Sequence, residues 1–177
     1  MPNVRDAAVL PFGPARMRPF FEWTAPATHT LLRVVAALLF MQHGVQKLFG
    51  WLGGVGGSGG TVPLASLMGV AGMLEVVGGA LLLLGLLTRP MALVLAAEMV
   101  AAYVIAHLPQ GGFPVQNQGE LALLFGAVFV FLFGNGAGPL SIDHWVAQRR
   151  TRRADVRRHM SERQAREAPR RARDTAA

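Results

Sequence analysis

Cysteine is absent from the 177 residues, which removes disulfides, thiolate metal sites, iron–sulfur ligation and CxxC redox chemistry in one step. Any redox role therefore rests on a bound cofactor. Charge is scarce too: charged residues make up 15% of the chain against 52% hydrophobic, and the mean hydropathy is positive. A soluble domain of this length rarely carries that balance. Lipid is the expected solvent.

What charge there is lies at one end. Residues 149–177 hold eleven Arg and four acidic residues, so the whole net charge of +7 sits there and residues 1–148 sum to zero. Near the start, Arg5, Arg16 and Arg18 surround an apolar stretch that Pro11 and Pro14 interrupt. That pattern lacks a signal-peptide core, and no cleaved leader is expected.

Crossing the hydrocarbon core takes about 20 apolar residues in a helix. Four windows qualify: about 30–49, 64–87, 91–108 and 120–136, the last being the shortest. Glycine-rich residues 50–63, the Thr88-Arg89-Pro90 break and the Pro-, Gly- and Asn-bearing residues 109–119 separate them. The expected fold is all-α, a polytopic membrane four-helix bundle. Residues 1–29 form an N-terminal segment, 30–143 the membrane domain and 144–177 an Arg-rich tail.

Cytoplasmic loops keep Lys and Arg while translocated loops lose them. Residues 50–63 and 109–119 contain neither, whereas the N-terminal segment, Arg89 and the tail contain Arg. Both termini are therefore expected in the cytoplasm, with the protein in a bacterial inner membrane. Phe12, Phe20, Phe21 and Trp23 among Arg16 and Arg18 suit the headgroup level, a loose leader being the alternative. Trp145 before Arg149 and Arg150 reads as an interfacial anchor, and the tail as a surface helix or a partly disordered, topology-fixing segment. It would attract anionic headgroups or a protein partner, with nucleic acid the less favoured choice.

A charge inside a spanning helix is costly unless it pairs or faces a polar cavity, so each one is a functional candidate. Arg33 and Lys47 are fourteen residues apart, close to four turns, and share a face of the first helix near opposite ends, with His43 one turn before Lys47. Gln42 and Gln46 widen that patch, and Gly44 admits a close neighbour. Glu75 and Glu98 stand near the middle of the second and third helices, where an unpaired carboxylate is expected to be protonated. Pairing with the first helix avoids that cost, Arg33 serving the lower carboxylate. His107, Asn117 and Glu120 add to the outer end, so one polar cluster is expected in the outer half of the bundle.

Such a cluster either registers the helices or forms a small pocket that hydrogen-bonds a quinone-like head group or relays protons. His43 and His107 raise haem or metal ligation, but no ligand signature accompanies them and no metal site is assigned. Glycine-rich residues 53–60 lack the lysine and the helix of a phosphate loop and read as a flexible external loop.

Arg33 with the run His43-Gly44-Val45-Gln46-Lys47, then Glu75-Val76-Val77-Gly78-Gly79, Gly85-Leu86-Leu87-Thr88-Arg89 and Glu98-Met99-Val100-Ala101 follow one another at suggestive spacings. After them come His107-Leu108-Pro109, Asn117-Gln118-Gly119-Glu120 and Gly136-Ala137-Gly138-Pro139-Leu140-Ser141-Ile142-Asp143. Residues 28–143 thus resemble the DoxX family of four-helix membrane proteins; the long Arg-rich tail departs from its compact pattern. The resemblance implies membrane location and, for some members, a place in quinol-oxidase, thiosulfate:quinone oxidoreductase or oxidative-stress complexes. It also marks Arg33, His43, Lys47, Glu75 and Glu120 as characteristic polar positions, and Glu98, His107 and Asn117 less firmly.

Three functions stay open on these residues: an accessory subunit of a quinone-linked or redox-defence complex, a small-solute or proton transporter, and a structural anchor that recruits a soluble partner through the tail. A bundle this small is complete only within a complex or a homo-oligomer if it transports.

Overall fold

The computed structural model describes the backbone of residues 18–174 and the side chains of residues 24–161. Helix α1 spans Arg18–Phe49, α2 Leu67–Leu84, α3 Thr88–Ala102, α4 the single turn Pro114–Asn117, α5 Glu120–Asn135 and α6 Ile142–Asp174. After Ala102 the third span continues through a π turn, Tyr103–His107, and a 3-10 turn, Leu108–Gln110. The described residues contain no strand, only an isolated bridge between Val55 and Gly60.

Three segments are long and apolar enough to cross a membrane: Thr24–Phe49, Leu67–Leu84 and Thr88–Gln110. Helix α5 is apolar but has 16 residues, about 24 Å against a core of about 30 Å. The rest of that span falls to the irregular residues 136–141, whose backbone has to find partners within the protein.

The helix bounds depart from the sequence expectation at the N-terminal side. The first helix starts at Arg18 rather than near residue 30, and Pro26 lies within it. Proline removes one backbone donor; nearby hydroxyls occupy the carbonyls there, with Thr30 Oγ1 donating to Pro26 O at 2.9 Å and Thr28 Oγ1 to Thr24 O at 3.0 Å. Phe12 lies outside the described residues, as do the side chains of Phe20, Phe21 and Trp23. At the other end, the tail is helical through Asp174. The glycine-rich loop, expected to be flexible, forms a defined turn: Val55 N donates to Gly60 O at 2.9 Å and Gly59 N to Gly53 O at 2.8 Å.

Packing follows from small residues. Helix α1 pairs chiefly with α2, and α3 with α5, while narrower contacts between α2 and α3 and between α1 and α5 close the ring. At Gly44 a Cβ would stand 2.6 Å from Val76 Cγ2 and 2.8 Å from Gly72 O, so glycine is what allows α1 and α2 to touch backbone to backbone. Gly72, Glu75 and Gly79 recur at three and four residues on the α2 face turned to α1, which delivers the Glu75 carboxyl to that seam. The interior holds Phe40, Leu82, Leu95, Phe129 and Leu132, all fully buried. Outside, Leu31, Leu39, Val77, Val100, Leu124 and Val130 are exposed. At most 33% of any spanning window is buried within the chain. So large an apolar exterior requires lipid or another protein to cover it.

Candidate functional site

Two polar layers cross the bundle, and they divide the residues singled out from the sequence. At the end where α2 stops and α3 starts, Arg33 is 1% exposed. Its Nε donates to Ala137 O at 2.9 Å, Nη1 to Leu82 O and Leu83 O at 2.5 and 2.6 Å, and Nη2 to Leu140 O at 2.6 Å. A guanidinium carries five donors in a rigid fork, and here it closes the C-terminal turn of α2 onto residues 136–141. Arg33 therefore does not serve a carboxylate in the outer half. Helical phase put it on the same face as Lys47, but fourteen residues at about 1.5 Å each separate the two by about 21 Å along the axis.

Asp143 completes this layer. Leu87 enters α3 in the left-handed region at φ 50° with no side-chain cap of its own. The Asp143 carboxylate accepts from Leu87 N and Thr88 N, both at 2.9 Å, and Asp143 N donates to Gly85 O at 2.9 Å. The aspartate is thus an N-cap supplied from across the structure, satisfying two orphan donors at the helix start. Sequence reading saw Asp143 only as the end of a motif, since capping by a residue 55 positions away leaves no local signal.

The second layer, at the opposite end, surrounds a cavity of about 250 Å³ whose wall includes His43, Lys47, Glu75, His107 and Gln118 on the polar side. Phe40, Met99, Leu121, Ala122 and Phe125 supply the apolar side. Lys47, in the last turn of α1, forms an ion pair with Oε1 of the buried Glu75. The pair has physical reason on both sides: a cation at a helix C-terminus is favoured, and a carboxylate in mid-membrane needs a counter-charge. Glu75 Oε2 and both oxygens of Glu98 are buried without a hydrogen-bond partner among the described residues. Glu98 does not line the cavity but lies within electrostatic reach of Glu75 and Lys47.

His107 is held by the loop beneath it. Its Nδ1 lies 2.9 Å from Asn117 O; a carbonyl only accepts, so Nδ1 carries a proton and donates, leaving Nε2 free of that bond. Asn117 is fully buried and donates through Nδ2 to Gly111 O at 2.8 Å, while its Oδ1 accepts from Gly119 N at 2.9 Å. It shapes the loop rather than lining the cavity. Glu120 is exposed at the start of α5 and also lies off the wall. The aromatic side is built from edge contacts: Phe40 meets Phe125 at 5.2 Å, and the His43 ring meets Phe125 at 6.0 Å and 87°. Tyr103 stacks on His107 at 6.4 Å from the same π turn, a distortion that recurs at functional sites. Tyr103 and Phe125 were not read from the sequence, and Gln118 entered only as part of a motif. Gln118 adopts φ 57°, and only that left-handed turn brings it to the cavity.

Apolar helices with lipid-facing exteriors around a polar cavity define a small polytopic membrane protein. The sequence profile of the DoxX family matches residues 28–108. The chain is 38% identical over 132 residues to an uncharacterized protein of Haemophilus influenzae, covering 73% of this chain and 92% of that one. It is 31% identical over 146 residues to an uncharacterized membrane protein of Mycobacterium tuberculosis, 71% of this chain and 85% of the relative. A Bacillus subtilis protein named "Putative oxidoreductase CatD" is 29% identical over 117 residues, 66% of this chain and 84% of its own length. No solved structure matches. The chain belongs to the DoxX family.

Proposed function

We propose that this protein is an inner-membrane accessory subunit of a redox complex and that its outer cavity holds a quinone-like head group. The observation that carries the reading is the cavity's two-sided wall. A quinone head is a flat ring with carbonyl acceptors at opposite edges. It needs apolar surfaces against its faces, which Phe40, Phe125 and Met99 offer, and donors at its rim. The Lys47 ammonium has three N–H donors, of which Glu75 Oε1 takes one, and the Gln118 amide has two. About 250 Å³ suits a single ring better than a whole lipid, since drug-sized ligands fill about 300–1,000 Å³. The similarity to a relative named as an oxidoreductase points the same way.

Orientation is part of the proposal. Arg33, Arg89 and the Arg-rich α6 gather at one end, so that end faces the cytoplasm and the cavity lies toward the opposite leaflet. Reporter fusions to the glycine-rich loop and to the C-terminus test it; a translocated C-terminus reverses it.

The decisive experiment is purification in mild detergent, extraction and identification of bound quinone, then titration with a short-chain quinone. A bound quinone is expected, with about tenfold weaker binding in E75Q and K47M, which corresponds to about 1.4 kcal/mol. Titration without saturable binding, or identical affinities in both variants, would remove the reading.

A further inference from the structure

Helix α6 poses a physical problem that the bundle does not solve. From Ala147 to Ser161 every residue is exposed, and a helix that buries no face draws little stability from its own sequence. Residues 149–161 contain six Arg against one acidic residue, Asp155. The first turn, by contrast, is fixed: Asp143 ties it to Gly85, Leu87 and Thr88, at the turn between two apolar spans. The helix therefore starts where membrane-crossing segments end.

Its residues are sorted around the axis. At about 100° per residue, Ile142, Trp145, Val146, Val156 and Met160 fall within an arc of about 100°. Arg150, Arg152 and Arg157 flank that arc, while Gln148, Thr151 and Asp155 lie opposite. Arg153 and Arg149 also fall within the apolar arc, and the Arg149 guanidinium stacks over the Trp145 ring at 3.5 Å. That places the Arg149 stem along an apolar face with its charge beside an aromatic. Trp145, Val156 and Met160 are 52%, 57% and 58% exposed, so no described residue covers this face.

We infer that α6 lies in the plane of an anionic leaflet, at the end of the bundle that carries Arg33 and Asp143. Trp145, Val156 and Met160 enter the boundary between headgroups and acyl chains, and the flanking arginines grip lipid phosphates. Guanidinium forks match phosphate oxygens two at a time, and each basic residue at an anionic surface strengthens partitioning by about fivefold. Lipid fits better than nucleic acid because an apolar stripe runs between the arginines. The leaflet is also already there, since the bundle that anchors α6 is embedded in it.

The absence of cysteine makes the test clean. Full-length V156C and T151C are spin-labelled and reconstituted into nanodiscs of phosphatidylcholine alone or mixed with phosphatidylglycerol. In anionic discs the label at position 156 is expected to lose accessibility to an aqueous nickel reagent and gain it to oxygen, while position 151 stays open to water. High salt or neutral lipid abolishes the contrast, and R152Q/R153Q/R157Q, checked for folding by size exclusion, abolishes it in anionic discs. Equal water accessibility at 156 and 151 in anionic lipid overturns the inference. So does protection at 156 that arises only on adding RNA or an acidic soluble protein, and so does a triple variant that remains buried.

Discussion

Replacing Arg33 tests the layer around it most directly. Of its four carbonyl acceptors, Leu82 O also takes the Gly85 N–H, at 3.0 Å. Among the described residues, Leu83 O, Ala137 O and Leu140 O rely on the guanidinium. An orphaned buried acceptor costs about 1–3 kcal/mol, so R33A would cost about 3–9 kcal/mol if the three simply added. Two effects reduce that. Membrane polar contacts average below about 1 kcal/mol because the unfolded chain finds partners in the bilayer, and residues 136–141 can relax toward the interface. The carbonyls at 137 and 140 lie outside helices and have no intrahelical bond to revert to, so the desolvation cost dominates, and we expect a loss of about 3–5 kcal/mol. R33K keeps one charge and three donors at a single point but loses the fork; it should fall between, at about 1–3 kcal/mol. Equilibrium unfolding in mixed micelles, followed by circular dichroism, measures both. R33A within about 1 kcal/mol of the parent, the size of one ordinary hydrogen bond, or R33K equal to the parent, would refute the latch.

Other perturbations separate the remaining parts. K47M strands the Glu75 carboxyl and is expected to cost about 1–3 kcal/mol, and K47M/E75Q should recover more than half of that, read as the coupling in a double-mutant cycle. D143A removes the cap of α3 and should cost about 1–2 kcal/mol, with hydrogen exchange speeding up at Leu87 and Thr88 ahead of the rest of the helix. G44A forces α1 from α2 and should lose about 1–3 kcal/mol, whereas at Gly134 a Cβ meets nothing within 4 Å and G134A should gain up to about 1 kcal/mol.

The membrane spans were readable because lipid leaves so few choices: long uncharged runs had to be helices, and Gly50 to Pro63 and Pro109 to Gly119 had to interrupt them, whereas the break expected at Thr88 to Pro90 falls at Gly85 to Leu87 and those three residues open α3. Lys47, Glu75 and His43 stood out for the same reason, being expensive where they are. The start of α1 was less legible, since Pro26 reads as a breaker in sequence while Thr28 and Thr30 hydroxyls occupy carbonyls beside it in the structure. Arg33, expected to serve the lower carboxylate, binds four backbone carbonyls instead, partners 49 to 107 residues away that helical phase does not reveal. Asp143 and Gln118 act through a distant helix start and a left-handed turn, neither of which a window of neighbouring residues encodes.

The Arg33 latch also has a bearing on how the chain is made. Its acceptors lie 49, 50, 104 and 107 residues downstream, so α1 leaves the ribosome carrying a cation whose last ligand is synthesised well after it. Until Leu140 emerges, α1 must keep that side chain at the interface, where water or a lipid phosphate can stand in. Nascent chains shorter than this would hold their first span loosely, and the finished fold would register, through one guanidinium, that translation has passed the fourth.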